Sequence, residues 1–241
     1  MKKRYKILIT ITTFILIIAA VFTIWLLNPY QAVEEAAALL EQENIEITEE
    51  NWLLFKTKAG DSDKGLIFYP GARVEAEAYA PLAAQIAEAG YQVIITPMPL
   101  NLAVLGINKA DQIMKKYQDI EDWFITGHSL GGAMAANYAK QNSSKLEGLI
   151  LLAAYPAESD DLSASSLDVL SIYAANDSFA TLEDIEESKK LLPKNTVWHK
   201  IEGGNHSQFG YYGFQRGDAE AEITREEQQQ EILKEILSFI E

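Results

Sequence analysis

The chain has 241 residues, 48% apolar and 23% charged, which is enough to bury one sizeable core and unlike the make-up of a disordered or fibrous protein. Formal charge is −15; four of the 20 basic residues precede residue 31 and no acidic ones do, so the remainder sets 16 basic against 35 acidic residues, or −19. Such a balance argues against nucleic acid or anionic lipid surfaces as partners, and the absence of cysteine excludes disulfides and cysteine metal sites.

In chain order, the first element is a basic cluster, "MKKRYK", followed by "ILITITTFILIIAAVFTIWLL", an uncharged run of about 20 residues with no polar face. It reads as a membrane helix or a signal peptide. The run continues to Leu27 and "NPYQAVEEA" is a poor cleavage site, so residues 1–30 are read as an uncleaved signal anchor and residues 31–241 as one domain. Lys2, Lys3, Arg4 and Lys6 predict a cytoplasmic N-terminus. The domain is then expected outside the cell membrane, or secreted if the segment is cut.

Next, "PYQAVEEAAALLEQEN" predicts a juxtamembrane helix with Pro29 at its start, and "IEITEENWLLFKTKAGDSDKG" alternates like a two-stranded hairpin. Strands then read at "GLIFYP", "YQVIITPMP", "DWFIT", "LEGLILLAAY", "DVLSIYAA" and "TVWHKIEG". Helices read at about 76–89, 105–118, 130–141, 181–191 and 224–240. This alternation predicts a three-layer α/β fold with a mostly parallel sheet, whose ligands bind beyond the carboxyl ends of the strands. Only "PAESDDLSASSL" lies between two of the strands where a lid could be inserted, too short for a lid domain.

"GHSLG", residues 127–131, matches G-x-S-x-G, a sharp strand-to-helix turn that lifts a serine hydroxyl clear of the sheet. Ser129 is therefore a candidate nucleophile, although serine is also a favoured helix cap. A serine needs a base. His128 adjoins it in a turn that points it elsewhere, toward packing or a supporting hydrogen bond, and His199 sits inside a predicted strand. His206, in the loop "EGGNHSQFG" after the final strand, is placed to act as the base. Asp177, just past the preceding strand, is the carboxylate candidate, with an Asx turn or helix cap as its other reading. Asp160, Asp161 and Asp168 lie in a polar loop or before the strand.

An oxyanion needs two N–H donors: Leu130 after the nucleophile, and Ala72 behind Gly71 in "YPGARV", with Arg73 as the near alternative. Phe209, Tyr211, Tyr212 and Phe214 follow the histidine and either wall a substrate pocket or pack on the body of the fold. No Walker loop, zinc motif or dinucleotide fingerprint accompanies the sheet, so no metal or nucleotide cofactor is expected.

The segments "FYPGARV", "PMPLNLA", "GHSLGGAMAANYA", "LILLAAYP" and "GGNHSQFGYYGFQRGD" resemble the α/β-hydrolase superfamily, in particular small bacterial hydrolases of the dienelactone-hydrolase-like group, over about residues 50–240. The resemblance implies Ser129, Asp177 and His206 as a triad acting on acyl bonds. This chain has serine where dienelactone hydrolases carry cysteine, and Pro70 where a His-Gly oxyanion turn carries histidine. The expected activity is cleavage of a small-molecule or lipid-like carboxylic ester through an acyl-enzyme. Thioester or peptide cleavage and acyl transfer use the same parts, and a non-catalytic envelope binding module is the alternative from another class.

Overall fold

The computed structural model describes residues 2–38, 45–49, 51–57 and 63–241. The described strands form one eight-stranded sheet: β1 Ile45–Glu49, β2 Leu53–Thr57, β3 Lys64–Tyr69, β4 Gln92–Ile95, β5 Asp122–His128, β6 Gly148–Leu152, β7 Asp168–Ala174 and β8 Val197–Ile201. Their spatial order is β1-β2-β4-β3-β5-β6-β7-β8, with β2 antiparallel to both neighbours and every later pairing parallel.

Each central strand is apolar on both sides because each side meets its own core. Leu66 and Phe68 of β3, Ile150 and Leu152 of β6, and Leu170 and Ile172 of β7 face one core. Ile67 and Tyr69, Leu149 and Leu151, and Val169 face the other. That division is the two-residue period of a pleated strand. The first core is covered by α3 (Ala80–Glu88) and α7 (Arg225–Ile240), through Leu82, Ile86, Ile232 and Ile236. The second is covered by α4 (Lys109–Lys116) and α5 (Leu130–Asn142), where Ala135, Ala136 and Ala139 let α5 approach the sheet closely. Thr181 and Thr224 close capping boxes with Asp184 and Glu227, which start α6 (Leu182–Ser188) and α7 where the chain leaves its loops.

Some boundaries differ from expectation. Pro97 and Pro99 end β4 at Ile95, because proline supplies no ladder donor. The helix expected at 105–118 is shortened to α4, preceded by single 3-10 turns at Pro99–Asn101 and Ala103–Leu105. The juxtamembrane helix starts later than Pro29, at α2 (Glu34–Ala38), and its expected continuation over 39–44 lies outside the described residues. Residues before it are extended: Tyr30 forms a parallel bridge with Val74, donating to the Arg73 carbonyl and accepting from Glu75 N–H. Between β6 and β7 the chain makes only one 3-10 turn, Glu158–Asp160, so no lid domain interrupts the sheet.

At the N-terminus α1 (Lys2–Leu26) is a continuous helix. Its Tyr5–Leu26 portion, 22 residues of mean hydropathy 2.8 and none of it buried, is long and apolar enough to cross a membrane. At 1.5 Å per residue it spans about 33 Å, a little more than a hydrocarbon core.

Candidate active site

β5 runs two residues further than expected, to His128, and α5 begins at Leu130, so Ser129 alone makes the turn. Its backbone sits at φ 53°, ψ −123°, a conformation that side chains rarely adopt, and its N–H donates to the Leu152 carbonyl at 3.0 Å. Its side chain makes no capping hydrogen bond. The helix-cap reading of Ser129 is thereby set aside.

Glycines make the turn possible. A Cβ on Gly127 would stand 2.4 Å from the Gly131 carbonyl carbon, and one on Gly131 only 2.0 Å from the Tyr69 carbonyl oxygen. Gly132, which the motif reading did not single out, is as constrained: its Cβ would lie 2.4 Å from that of Ala154. The start of α5 therefore rests backbone to backbone on the end of β3, which brings the Pro70-Gly71-Ala72 loop beside the elbow.

His206 lies in the loop after β8, buried, with Nδ1 2.8 Å from Asp177 Oδ2. A carboxylate only accepts, so the proton sits on Nδ1 and the lone pair on Nε2. That Nε2 is buried and has no hydrogen-bond partner. Asp177 also makes the Asx-type turn expected as its other reading: its second oxygen, Oδ1, accepts from Phe179 N–H at 2.7 Å and Ala180 N–H at 2.8 Å. Ser129 and His206 line one cavity of about 290 Å³, together with Leu130, Ala153, Tyr155 and Phe179. They share that cavity without a direct hydrogen bond between them.

In the loop after β3, Gly71 N–H donates to Tyr79 Oη at 3.0 Å, and Arg73 N–H to the Asn101 carbonyl at 2.7 Å, which removes the alternative to Ala72. Ala72 and Leu130 N–H have no acceptor among the described residues.

His128 is buried against the far side of this arrangement. Its Nδ1 is 2.9 Å from Tyr79 Oη, its ring stacks on Phe209, and its centroid is 4.6 Å from that of His206. Since Tyr79 Oη accepts from Gly71, its own proton is free to go to Nδ1 of a neutral His128. Burial first, and the neighbouring His206 ring second, hold the His128 imidazole well below its ordinary range. His199 is a strand residue on β8, paired with Glu231 of α7 at 3.1 Å and remote from the cavity lining. Asp160 accepts from Asn137, Asp161 from Ser163 N–H, and Asp168 from Asn195, all structural bonds.

Of the aromatic cluster, Phe209 and Tyr212 are buried packing residues, and none of the four lines the cavity. The aromatic lining comes from Tyr155 and from Phe179, whose ring is 5.0 Å from that of His206. Two further supports had no local signal. Asp218 accepts from Ser178 N–H, Ser207 N–H and Ser207 Oγ, tying the Asp177 loop to the His206 loop. Gln228 of α7, fully buried, clamps the Asn205 backbone through both its amide atoms, at 3.0 and 2.9 Å.

Residues 65–230 match the model of the Alpha/beta hydrolase family. The chain belongs to that family, and its fold is that of a hydrolase. Similar solved structures include dienelactone hydrolase from Anabaena variabilis, 12% identical with TM-score 0.63 over 83% of this chain and 100% of that one. Paleococcus ferrophilus monoacylglycerol lipase is 15% identical, with TM-score 0.60 over 80% of this chain and 99% of that one. Est1E from Butyrivibrio proteoclasticus, solved with ferulic acid bound, is 13% identical, with TM-score 0.59 over 83% and 98%. At such identities these likenesses concern the fold. No curated protein sequence matches the chain.

Two outcomes test this geometry. Gly131→Ala is expected to lower stability by about 3 kcal/mol or more, through collision with a backbone oxygen that cannot move aside. Gly90→Ala, at φ 105° with nothing within 4 Å, should cost only about 1 kcal/mol; equal shifts in urea midpoint for the two would contradict the close approach. The second concerns His128, ordinarily titrating near 6.5. Below that pH the unfolded chain binds a proton that the folded site refuses. Stability is therefore full above about pH 6.5 and falls on acidification, by about 1.4 kcal/mol per pH unit from this one group. Urea midpoints between pH 7 and 5 should fall more steeply for the wild type than for His128→Gln; parallel slopes would show that His128 is not held neutral.

Proposed function

We propose that the protein is a serine hydrolase that cleaves a carboxylic ester and is tethered by Tyr5–Leu26 to the cell membrane, with its domain on the extracytoplasmic side. The observation that carries the catalytic reading is a strained serine sharing an apolar cavity with the unpartnered Nε2 of a histidine whose other nitrogen is held by a buried carboxylate. Ser129 Oγ attacks the ester carbonyl carbon while His206 Nε2 takes its proton, closing to hydrogen-bond reach as substrate enters. Asp177 keeps the ring's tautomer and stabilises the imidazolium. The free N–H groups of Leu130 and Ala72 receive the oxyanion.

Collapse of the tetrahedral species expels the alcohol, which leaves with the proton from His206. Water, deprotonated by the same nitrogen, then attacks the acyl-enzyme and releases the acid and Ser129. The mostly apolar cavity lining suits an acyl chain rather than a charged peptide.

The tether reading is supported by the stem: the Arg73 guanidinium lies 4.2 Å from the Trp25 ring and donates to the Asn28 carbonyl, contacts that use the last turn of the helix and the residues just beyond it. The lysines and arginine ahead of the apolar run support the orientation.

A fluorophosphonate probe should label the wild-type chain and not Ser129→Ala. Hydrolysis of p-nitrophenyl esters should fall on the order of a thousandfold or more in Ser129→Ala, His206→Gln and Asp177→Asn. An unlabelled wild type, or a Ser129→Ala variant that keeps its activity, would overturn the mechanism and favour a non-catalytic binding module.

A further inference from the structure

Beyond residue 28, six of the exposed large apolar side chains, Leu100, Val104, Leu105, Phe179, Leu182 and Phe214, follow the carboxyl ends of β4, β7 and β8. Val197, at the opposite end of β8, is the one other among the described residues. Scattered apolar residues are ordinary on a protein surface, but concentration along one rim is not. This rim is the one that carries Ser129 and His206.

The densest part is the segment Pro99–Leu105, where Leu100, Val104 and Leu105 are 50%, 50% and 54% exposed. Leu100 and Asn101 both sit at φ 54°, an unfavourable conformation for leucine that here holds an aliphatic side chain outward.

The occupant of that surface is indicated by what the segment is bonded to. The Asn101 carbonyl accepts from Arg73 N–H, and the Arg73 side chain reaches Asn28 and stacks on Trp25 at the exit of the apolar helix. Tryptophan and arginine at the end of a span sit at the level of the lipid headgroups. A segment fastened to them stands at the same level. We infer that Leu100, Val104 and Leu105 insert into the outer leaflet as a second membrane contact, so that the rim of the sheet rests on the bilayer and the site takes lipid-borne esters from it.

The Ala103–Leu105 turn packs on α5, the helix that supplies Leu130 and Ala133 to the cavity lining. With −19 charges on the domain, the surface it suits is zwitterionic rather than anionic. The inference rests on Tyr5–Leu26 being a retained span, and its test separates the two.

The chain has no cysteine, so single-cysteine variants of the full-length protein carry one label each. Leu105→Cys, Ile15→Cys and Lys194→Cys would be labelled with an environment-sensitive nitrobenzoxadiazole dye and reconstituted in phosphatidylcholine vesicles. The label at 105 should emit at shorter wavelength and be quenched by lipids bearing a shallow nitroxide, the label at 15 by a deep nitroxide, and the label at 194 by neither. A water-like signal at 105 beside a lipid-quenched signal at 15 would overturn the docking and leave the anchor standing. Water-like signals at both would remove the anchor and the docking with it. A blue-shifted label at 105 that lipid nitroxides do not quench would assign the surface to a second copy of the chain, and would also overturn the inference. Independently, replacing Leu100 and Leu105 together by Gln should lower kcat/KM about tenfold on a long-chain ester carried in vesicles and leave p-nitrophenyl acetate hydrolysis unchanged. Equal losses on both substrates, or none on the vesicle-borne one, would contradict it.

Discussion

The arrangement depends on one close approach of backbone to backbone, the start of α5 lying against the end of β3 at Gly131. Where a Cβ would stand 2.0 Å from the Tyr69 carbonyl oxygen, only glycine fits, and the elbow that carries Ser129 is fixed by that contact. Because the contact is with β3, it also fixes the loop that β3 leads into. Gly71, Ala72 and Arg73 are thereby held beside the first turn of α5, and the free N–H groups of Ala72 and Leu130 come from the two partners of one packing contact.

Strain gathers along the same rim. Among the described residues the positive-φ positions other than glycine are Arg73, Leu100, Asn101, Ser129 and Ala153, and each follows the carboxyl end of β3, β4, β5 or β6. Unfavourable backbone persists only where surrounding structure outweighs it. Here the surrounding structure is a sheet with an aliphatic core on each face, and the bonds that hold the strained residues are specific ones, such as Ser129 N–H to Leu152 and Arg73 N–H to Asn101. The core thus supports a rim that departs from regular geometry.

The sheet was legible because burial on both faces writes itself into apolar runs such as "GLIFY" and "GLILL". Ser129, Asp177 and His206 were readable as candidates because each stands in the turn or loop after a predicted strand. Elements shaped by proline were read too long: Pro97 and Pro99 break the segment after β4 into 3-10 turns that hydrophobic periodicity alone reports as strand and helix. Tertiary partners were not legible. Nothing near Gln228 indicates that its amide clamps Asn205, 23 residues away, or that Asp218 joins two loops. The aromatic cluster after His206 was left with two readings for a related reason, since an apolar side chain in a loop carries no mark of whether it faces a cavity or a core. Phe179, one of the two aromatic rings that line the cavity, is isolated in sequence and was passed over.

The residues between the apolar helix and the domain bear on the site more directly than a linker would. Tyr30 joins the backbone of residues 73–75 as a short parallel bridge, Ala32 N–H donates to Glu75, and Val33 N–H to the Tyr211 carbonyl. These bonds begin one residue after Ala72 and reach the loop that follows His206. A flexible linker would leave the apolar helix free to take any position relative to the domain. A stem bonded to residues 73–75 and to Tyr211 instead holds the exit of that helix beside the rim where exposed aliphatic residues and strained backbone coincide. Packing at Gly131, the bonds of Arg73 and the course of the stem therefore act on the same few residues, and a displacement of any one of them would be felt at the Ala72 N–H.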